Sequence, residues 1–143
     1  MEKKDLKPAG VFKYFEEICQ VPRPSKKEEK IIAYLKAFGV KHNLETNVDE
    51  AGNVLIKKPA TPGKENLQTV ILQSHIDMVC EKNNDVQHDF LTDPIETEID
   101  GEWLKAKGTT LGADNGIGVA TELAILADDN IEHGPLECLF TVD

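Results

Sequence analysis

The segment TVILQSHIDMV, from Thr69 to Val79, constrains the fold of this chain more than any other part of its sequence. Its front half is a continuous apolar run, which is typical of a strand that is buried on both faces of a sheet. Helices are the usual cover for such a sheet. The segment therefore predicts a fold in which helices pack against a sheet.

Two helices are predicted before this strand. Apolar residues recur at helical spacing over residues 10–20, and the two prolines of VPRPS then end that helix. Ser25 and Glu28 have the spacing of a capping box, which predicts the start of a second helix. The order of elements is therefore helix, helix and then strands.

The remaining elements are two hairpins, a helix and a last strand. LETNVDEAGNVLIKK predicts one hairpin, and IETEIDGEWLKAKG predicts another with an Asp100–Gly101 turn, on which Trp103 is expected to pack. Residues 115–128 are an apolar helix, and PLECLFTVD is a buried strand. The 143 residues have the size of one domain and contain no internal linker. The fold class is α/β, with a mixed sheet flanked by helices.

Charge and composition exclude several classes of function. The formal net charge is -10 and the basic residues are scattered, which argues against binding to nucleic acid or to an anionic membrane. No apolar run has the length of a membrane span, and MEKKDLKPAG lacks the apolar core of a signal peptide. These features predict a cytoplasmic protein. The three cysteines have no CxxC spacing and are expected to be buried free thiols.

A His and an Asp lie at the end of the strand that is predicted to begin at Thr69. His75 and Asp77 are two residues apart, so the period of a strand places both side chains on one face. Ligands of open α/β sheets collect beyond the carboxyl ends of the strands, where this pair falls. Imidazole and carboxylate are both zinc ligands, and a carboxylate also orients a metal-bound imidazole. An isolated H-x-D is nevertheless frequent by chance.

The loop GTTLGADNGIG, residues 108–118, adds a third candidate. It has no GK[ST] ending, the third glycine of a dinucleotide fingerprint falls on Thr121, and Asp114 would repel a phosphate. Asp114 suits a metal better than an anion, and the glycines permit close approach of the backbone. A simpler alternative is that Asp114 is the N-cap of the helix that follows.

The other histidines are expected to be solvated. His42, His88 and His133 belong to no pattern of metal ligands, although His88 and Asp89 form a fallback pair. The metal hypothesis therefore depends on His75 and Asp114.

Three motifs in order resemble a known family. SHIDMV, then GTTLGADNGIGVA about 40 residues later, then LFTVD are similar to the amino-terminal part of the aminoacyl-histidine dipeptidases, also called Xaa-His or cytosol nonspecific dipeptidases. These enzymes belong to the co-catalytic zinc metallopeptidases. The resemblance extends over essentially the whole chain, and the three motifs together are far more specific than any one of them.

The resemblance implies roles for the candidate residues. His75 would ligate one zinc ion, Asp77 would orient that imidazole as the catalytic residue of the set, and Asp114 would bridge two zinc ions. The peptide bond between Asp114 and Asn115 is expected to be cis. In the family, a Glu-Glu pair that provides the general base and a further ligand follows the last strand.

The resemblance also implies that residues 1–143 are an incomplete amino-terminal part of the catalytic domain, without the lid domain. Its substrate would be a dipeptide, and homo-oligomers are left open. With neither the base nor a full ligand set, this chain alone is expected to be inactive and to bind zinc weakly or not at all.

A noncatalytic alternative remains at this point. The same fold serves as a binding or assembly module if His75 is an ordinary surface histidine. A nucleotide-binding loop at GADNGIG is a third class, which Asp114 disfavours. Zinc titration of His75→Ala beside the unmodified chain separates the first two classes.

Overall fold

Strand β6 is the centre of the main sheet. The structure, a computed structural model, describes residues 1–143. Its sheet has the order β1-β2-β6-β3, in which β6 is antiparallel to β2 and parallel to β3. A 3-10 turn at Lys3–Asp5 precedes these elements: α1 Ala9–Cys19, α2 Glu29–Lys41, β1 Glu45–Val48, β2 Val54–Lys58, β3 Val70–His75, β4 Thr97–Asp100, β5 Trp103–Ala106, α3 Ala113–Ala127 and β6 Leu136–Thr141. The predicted α/β class with a mixed sheet is confirmed.

The core lies between one face of this sheet and the helices. On β6, Cys138 and Phe140 are fully buried and pair with Ile56 and Val54 of β2, so these four side chains share a face. Helix α1 packs on α3, α3 packs on β3, and α2 packs on β1 and β2. The apolar residues of α1 that predicted a helix are the ones it buries, including Phe15 and Ile18. The helices therefore cover the face of the sheet to which every second side chain of a strand points.

Strand β3 differs from its prediction. The apolar run predicted burial on both faces, but β3 is the edge strand of the sheet, and Val70 and Ile71 are 51% and 62% exposed. Only β6 pairs with it, so one row of its backbone groups faces outward. The expected strand exists, while its expected burial on both faces is wrong.

The start of α2 also differs from its prediction. The helix begins at Glu29 with Glu28 as its N-cap residue, and Ser25 does not cap it. The Ser25 hydroxyl instead donates to Asp77, and the Glu28 carboxylate accepts from the backbone N–H of Lys26 at 2.9 Å. The capping-box spacing was misleading because a tertiary contact takes the hydroxyl.

The second hairpin forms a separate two-stranded sheet of β4 and β5. Its turn at Asp100–Gly101 is present, and Gly101 has a positive φ of 62°. Trp103 was expected to pack on this hairpin, but it is 76% exposed. The cysteines are free as expected, with Cys19 and Cys138 buried and Cys80 half-buried. No helix of the structure combines the length and the apolar character that a membrane crossing requires.

Candidate metal site

His75 connects the two other candidate residues of the site. Its Nε2 lies 3.0 Å from Oδ1 of Asp114, and its Nδ1 lies 3.1 Å from Oδ1 of Asp77. His75 ends β3, Asp77 follows two residues later, and Asp114 comes from the loop at the start of α3. The structure thus brings together the three side chains that the sequence singled out. Their roles as ligand and support stay predictions.

Asp77 is held from its far side. Its Oδ2 accepts a hydrogen bond of 2.5 Å from the Ser25 hydroxyl, while its Oδ1 faces the imidazole. The side chain of Asp77 is only 13% exposed, so both oxygens are committed to these partners. The result is a line of contacts from Ser25 through Asp77 and His75 to Asp114. Such support fixes the orientation of the imidazole ring.

The two carboxylates favour the protonated imidazole. Partial burial by itself lowers the pKa of His75, but hydrogen bonds that the imidazole donates to Asp114 and Asp77, and the charge of Asp77, act in the opposite direction. On balance, the pKa of His75 is raised above the ordinary value of a histidine. A metal ion bound at Nε2 would displace any proton from that nitrogen.

The pair formed by His75 and Asp114 suits a zinc ion. Two donors at about 2.0–2.1 Å from one tetrahedral ion are about 3.3 Å apart, close to the observed 3.0 Å between Nε2 and Oδ1. The Asp114 side chain is 98% exposed, so its second oxygen is free to take another partner. Imidazole and carboxylate are also the donors that zinc accepts.

The chain itself supplies only part of a coordination shell. No three His, Cys, Asp or Glu side chains come together in a geometry that would hold a metal ion. The fallback pair of His88 and Asp89 is therefore not extended by a third donor. His42, His88 and His133 are half-buried and each has a buried Nε2 without a hydrogen-bond partner, so their expected solvation is wrong.

Asp114 and Asn115 have separate roles in the first turn of α3, where neither residue has helical φ and ψ angles. Asn115 caps the helix, because its Oδ1 accepts from the backbone N–H of Gly118 at 3.1 Å. Asp114 accepts no such bond from the helix and faces His75 instead, so the N-cap alternative for Asp114 is wrong. The peptide bond between these two residues is cis, which confirms the expectation from the resemblance.

Sequence analysis missed two residues of this site. The prolines of VPRPS predicted a helix end and Ser25 predicted a helix cap, yet Arg23 is buried beneath the loop of Asp114 and Ser25 holds Asp77. Their backbone runs beside the end of β3, where Ser25 N–H donates to Met78 O and Met78 N–H donates to Arg23 O. Neither residue belongs to a periodic pattern, so hydrophobic spacing gives no signal for them.

An open groove of about 330 Å³ lies next to Asp114. It is lined by Val79, Thr110, Leu111, Gly112, Ala113 and Asp114. Half of these residues are hydrophobic, and Asp114 is the charged residue among them. The groove therefore offers an apolar surface within reach of the candidate metal ligands.

Comparison with known proteins identifies close relatives over nearly the whole chain. The chain is 52% identical over 141 residues to the cytosol non-specific dipeptidase of Escherichia coli strain K12, covering 99% of this chain and 29% of that protein. No family model matches the sequence. The chain thus spans less than a third of the length of this relative.

Solved structures agree with the sequence comparison. The crystal structure of aminoacylhistidine dipeptidase from Vibrio alginolyticus superposes on the whole chain with a TM-score of 0.96 at 53% identity, and the chain covers 29% of it. Aminopeptidase PepT from Bacillus cereus ATCC 10987 matches 93% of the chain with a TM-score of 0.75 at 26% identity, over 36% of its own length.

Proposed function

Because this chain is homologous to the amino-terminal part of the cytosol non-specific, or aminoacylhistidine, dipeptidases, we propose that it provides part of the catalytic domain of a zinc-dependent dipeptidase. The substrates are Xaa-His and related dipeptides, and the compartment is the cytoplasm. The observation that carries this proposal is the approach of His75 Nε2 to Asp114 Oδ1, with Asp77 behind the imidazole. The name of the Escherichia coli relative supports the substrate class and the compartment.

Each residue of the site has a separate task in this proposal. His75 donates the Nε2 lone pair, and Asp114 contributes a carboxylate that is exposed enough to bridge two ions. Asp77 accepts a hydrogen bond from Nδ1–H, so that the tautomer with a free Nε2 is the stable one at the site. Zinc bound there would polarise the scissile carbonyl and lower the pKa of a water molecule.

The rest of the site fits a small peptide. The groove beside Asp114 has three apolar residues in its lining, which suit the side chain of a short substrate. The net charge of -10 gives no surface for nucleic acid. A dipeptide is therefore the partner that we propose, and a second copy of the chain remains open.

Zinc titration of the chain tests the metal site. We expect zinc to shift the imidazole signals of His75 in NMR spectra of the unmodified chain, and His75→Ala to abolish saturable zinc binding. His88→Ala is the matched control, because it removes a half-buried imidazole outside the site. Equal zinc binding by the unmodified chain and His75→Ala would favour the noncatalytic binding module.

An activity assay tests the second half of the proposal. His75 and Asp114 provide two donors where a zinc site takes about four. We therefore expect residues 1–143 by themselves to show no hydrolysis of Xaa-His dipeptides above background with added zinc. Turnover that His75→Ala removes would mean that this chain contains a complete active site.

A further inference from the structure

Arg23 contacts both backbone segments that carry the candidate ligands. Its Nη1 donates to the carbonyl oxygens of Ile76, at 3.0 Å, and of Asp77, at 3.4 Å. Its Nη2 donates to the carbonyl oxygen of Gly112 at 2.7 Å. One guanidinium therefore joins the end of β3 to the loop that precedes Asp114.

The position of Arg23 is unusual for a charged residue. It is 2% exposed and forms no ion pair within 4 Å, so its donors face carbonyl oxygens. Burial lowers its pKa, which the charges of Cys19, Asp77 and Cys80 oppose. A buried cation without a carboxylate partner is expensive. An apolar side chain would fill the same space at a lower desolvation cost, but it would not join the two segments.

Two glycines of the loop make room for this guanidinium. A Cβ on Gly112 or on Gly116 would lie 2.6 Å from Arg23 Nη2, which is closer than a carbon and a nitrogen that are not bonded to each other can approach. Gly112 also has a φ of 77°, in the left-handed region that favours glycine. Gly112 and Gly116 thus serve the approach of Arg23 to the loop, and a glycine is needed at both positions for the same reason.

We propose that Arg23 is a positioning residue of the candidate metal site, and that its guanidinium sets the distance between His75 and Asp114 by binding the backbone beside each of them. This inference rests on the proposed function, because it concerns the same two ligands. Arginine is required because its planar fork has donors that point to two different segments. A lysine at this position would keep the charge and reach one segment at a time.

The test compares four chains, each of 143 residues, by the same zinc titration. These are the unmodified chain, Arg23→Lys, Arg23→Met and the control Lys27→Met, which removes an exposed cation four residues away. The dissociation constant for zinc is followed by the imidazole signals of His75 in NMR spectra. The melting temperature of each chain is measured separately, so that a loss of stability is distinguished from a loss of geometry.

We expect Arg23→Lys and Arg23→Met to bind zinc about tenfold to a hundredfold more weakly, with shifted His75 signals, and Lys27→Met to match the unmodified chain. Because signals of the folded chain report the result, Arg23→Lys remains informative if Arg23→Met does not fold. A lower melting temperature for Arg23→Lys, with a zinc dissociation constant within about twofold of that of the unmodified chain, would overturn the inference.

Failure of the proposed function has a different signature. If the unmodified chain and His75→Ala respond to zinc in the same way, the proposed metal site itself is wrong. In that case the inference falls with it. If the unmodified chain binds zinc at His75 and the Arg23 variants have the same zinc dissociation constant, the metal site stands and the positioning role is refuted.

Discussion

The hydroxyl of Ser25 donates to Oδ2 of Asp77 over 2.5 Å, across 52 positions of sequence. This contact leaves Oδ1 of Asp77 for His75, so a residue before α2 determines how a residue after β3 faces the site. It also shows why Ser25 is not available to cap the helix. The support of the imidazole therefore begins in a turn that has no catalytic motif.

Removal of this hydroxyl tests how much the imidazole depends on it. We expect Ser25→Ala to leave the fold intact, because Ser25 is only partly buried, and to weaken zinc binding about tenfold. The cause is that Asp77 would rotate and lose its hold on Nδ1–H. Nitrogen chemical shifts of His75, with a zinc titration, measure both effects. Ser25→Thr keeps a hydroxyl and serves as the control, and an unchanged tautomer equilibrium in Ser25→Ala would contradict the expectation.

Glu122 makes the stability of the chain depend on pH. It is buried in α3, its Oε1 accepts from Ser74 at 2.7 Å, and its Oε2 has no partner. Burial raises the pKa of Glu122 to about 7, although Ser74 and the nearby Cys138 thiol act in the opposite direction. The folded chain therefore keeps this proton at pH values where the unfolded chain has lost it.

The sign of the effect follows from proton linkage. Between pH 4.5 and about 7 the folded state binds more protons than the unfolded state, so the free energy of unfolding decreases as pH rises. By neutral pH, Glu122 has lowered the free energy of unfolding by about 3 kcal/mol relative to its value below pH 4.5. We expect Glu122→Gln to remove this dependence and Glu50→Gln, at an exposed site, to retain it. Urea unfolding from pH 5 to pH 8 measures the difference, and parallel curves for Glu122→Gln and the unmodified chain would refute it.

Gly39 lies in the last turn of α2, where an alanine would ordinarily stabilise a helix. Here a Cβ would collide with Oγ1 of Thr46 and lie 2.9 Å from its Cβ, because α2 and β1 pack closely. We therefore expect Gly39→Ala to lower the free energy of unfolding by about 1–3 kcal/mol. Thermal or urea unfolding measures it.

A second glycine provides the control for this substitution. Gly10 is in α1, and its Cβ would meet Ala124 at 3.6 Å, an ordinary contact. Gly10→Ala is expected to be neutral or to stabilise by up to about 1 kcal/mol, as helix propensity predicts. Destabilisation of similar size in both variants would mean that packing against Thr46 is not the cause.

The outer edge of β3 is a candidate for self-association. It carries no charged residue over Val70–His75, and Ile71 is 62% exposed. Unpaired apolar strand edges pair with other chains, and a lysine at the edge prevents this. We expect Ile71→Lys to reduce concentration-dependent association in sedimentation equilibrium. Leu91→Lys makes the same change of charge at an exposed loop residue and should have no effect; equal reduction by both variants would point to charge alone.

The sequence itself determined the elements and the candidate ligands. The periodicity of apolar residues fixes α1, and the spacing of turn residues fixes both hairpins, because these signals act between neighbours in the chain. The same holds for His75 and Asp77, whose two-residue spacing at the end of a strand places them together. Asp114 was identified by the chemistry of its loop and by resemblance.

The tertiary structure decided what lies between distant segments. The sequence could not place β3 at the sheet edge, because the apolar pattern of a strand does not specify how many neighbours pair with it. Likewise Trp103 is exposed where hydrophobicity alone predicted packing.

The supports of the site belong to the same category. Arg23 binds carbonyl oxygens of Ile76 and Gly112, which are 53 and 89 positions away. Carbonyl oxygens are the same in every residue, so the amino-acid sequence contains no mark of these partners, and only the packing of the turn against β3 and the loop brings them within hydrogen-bonding distance. Local pattern thus determined which side chains carry the chemistry, and the folded backbone determined which residues hold them in place.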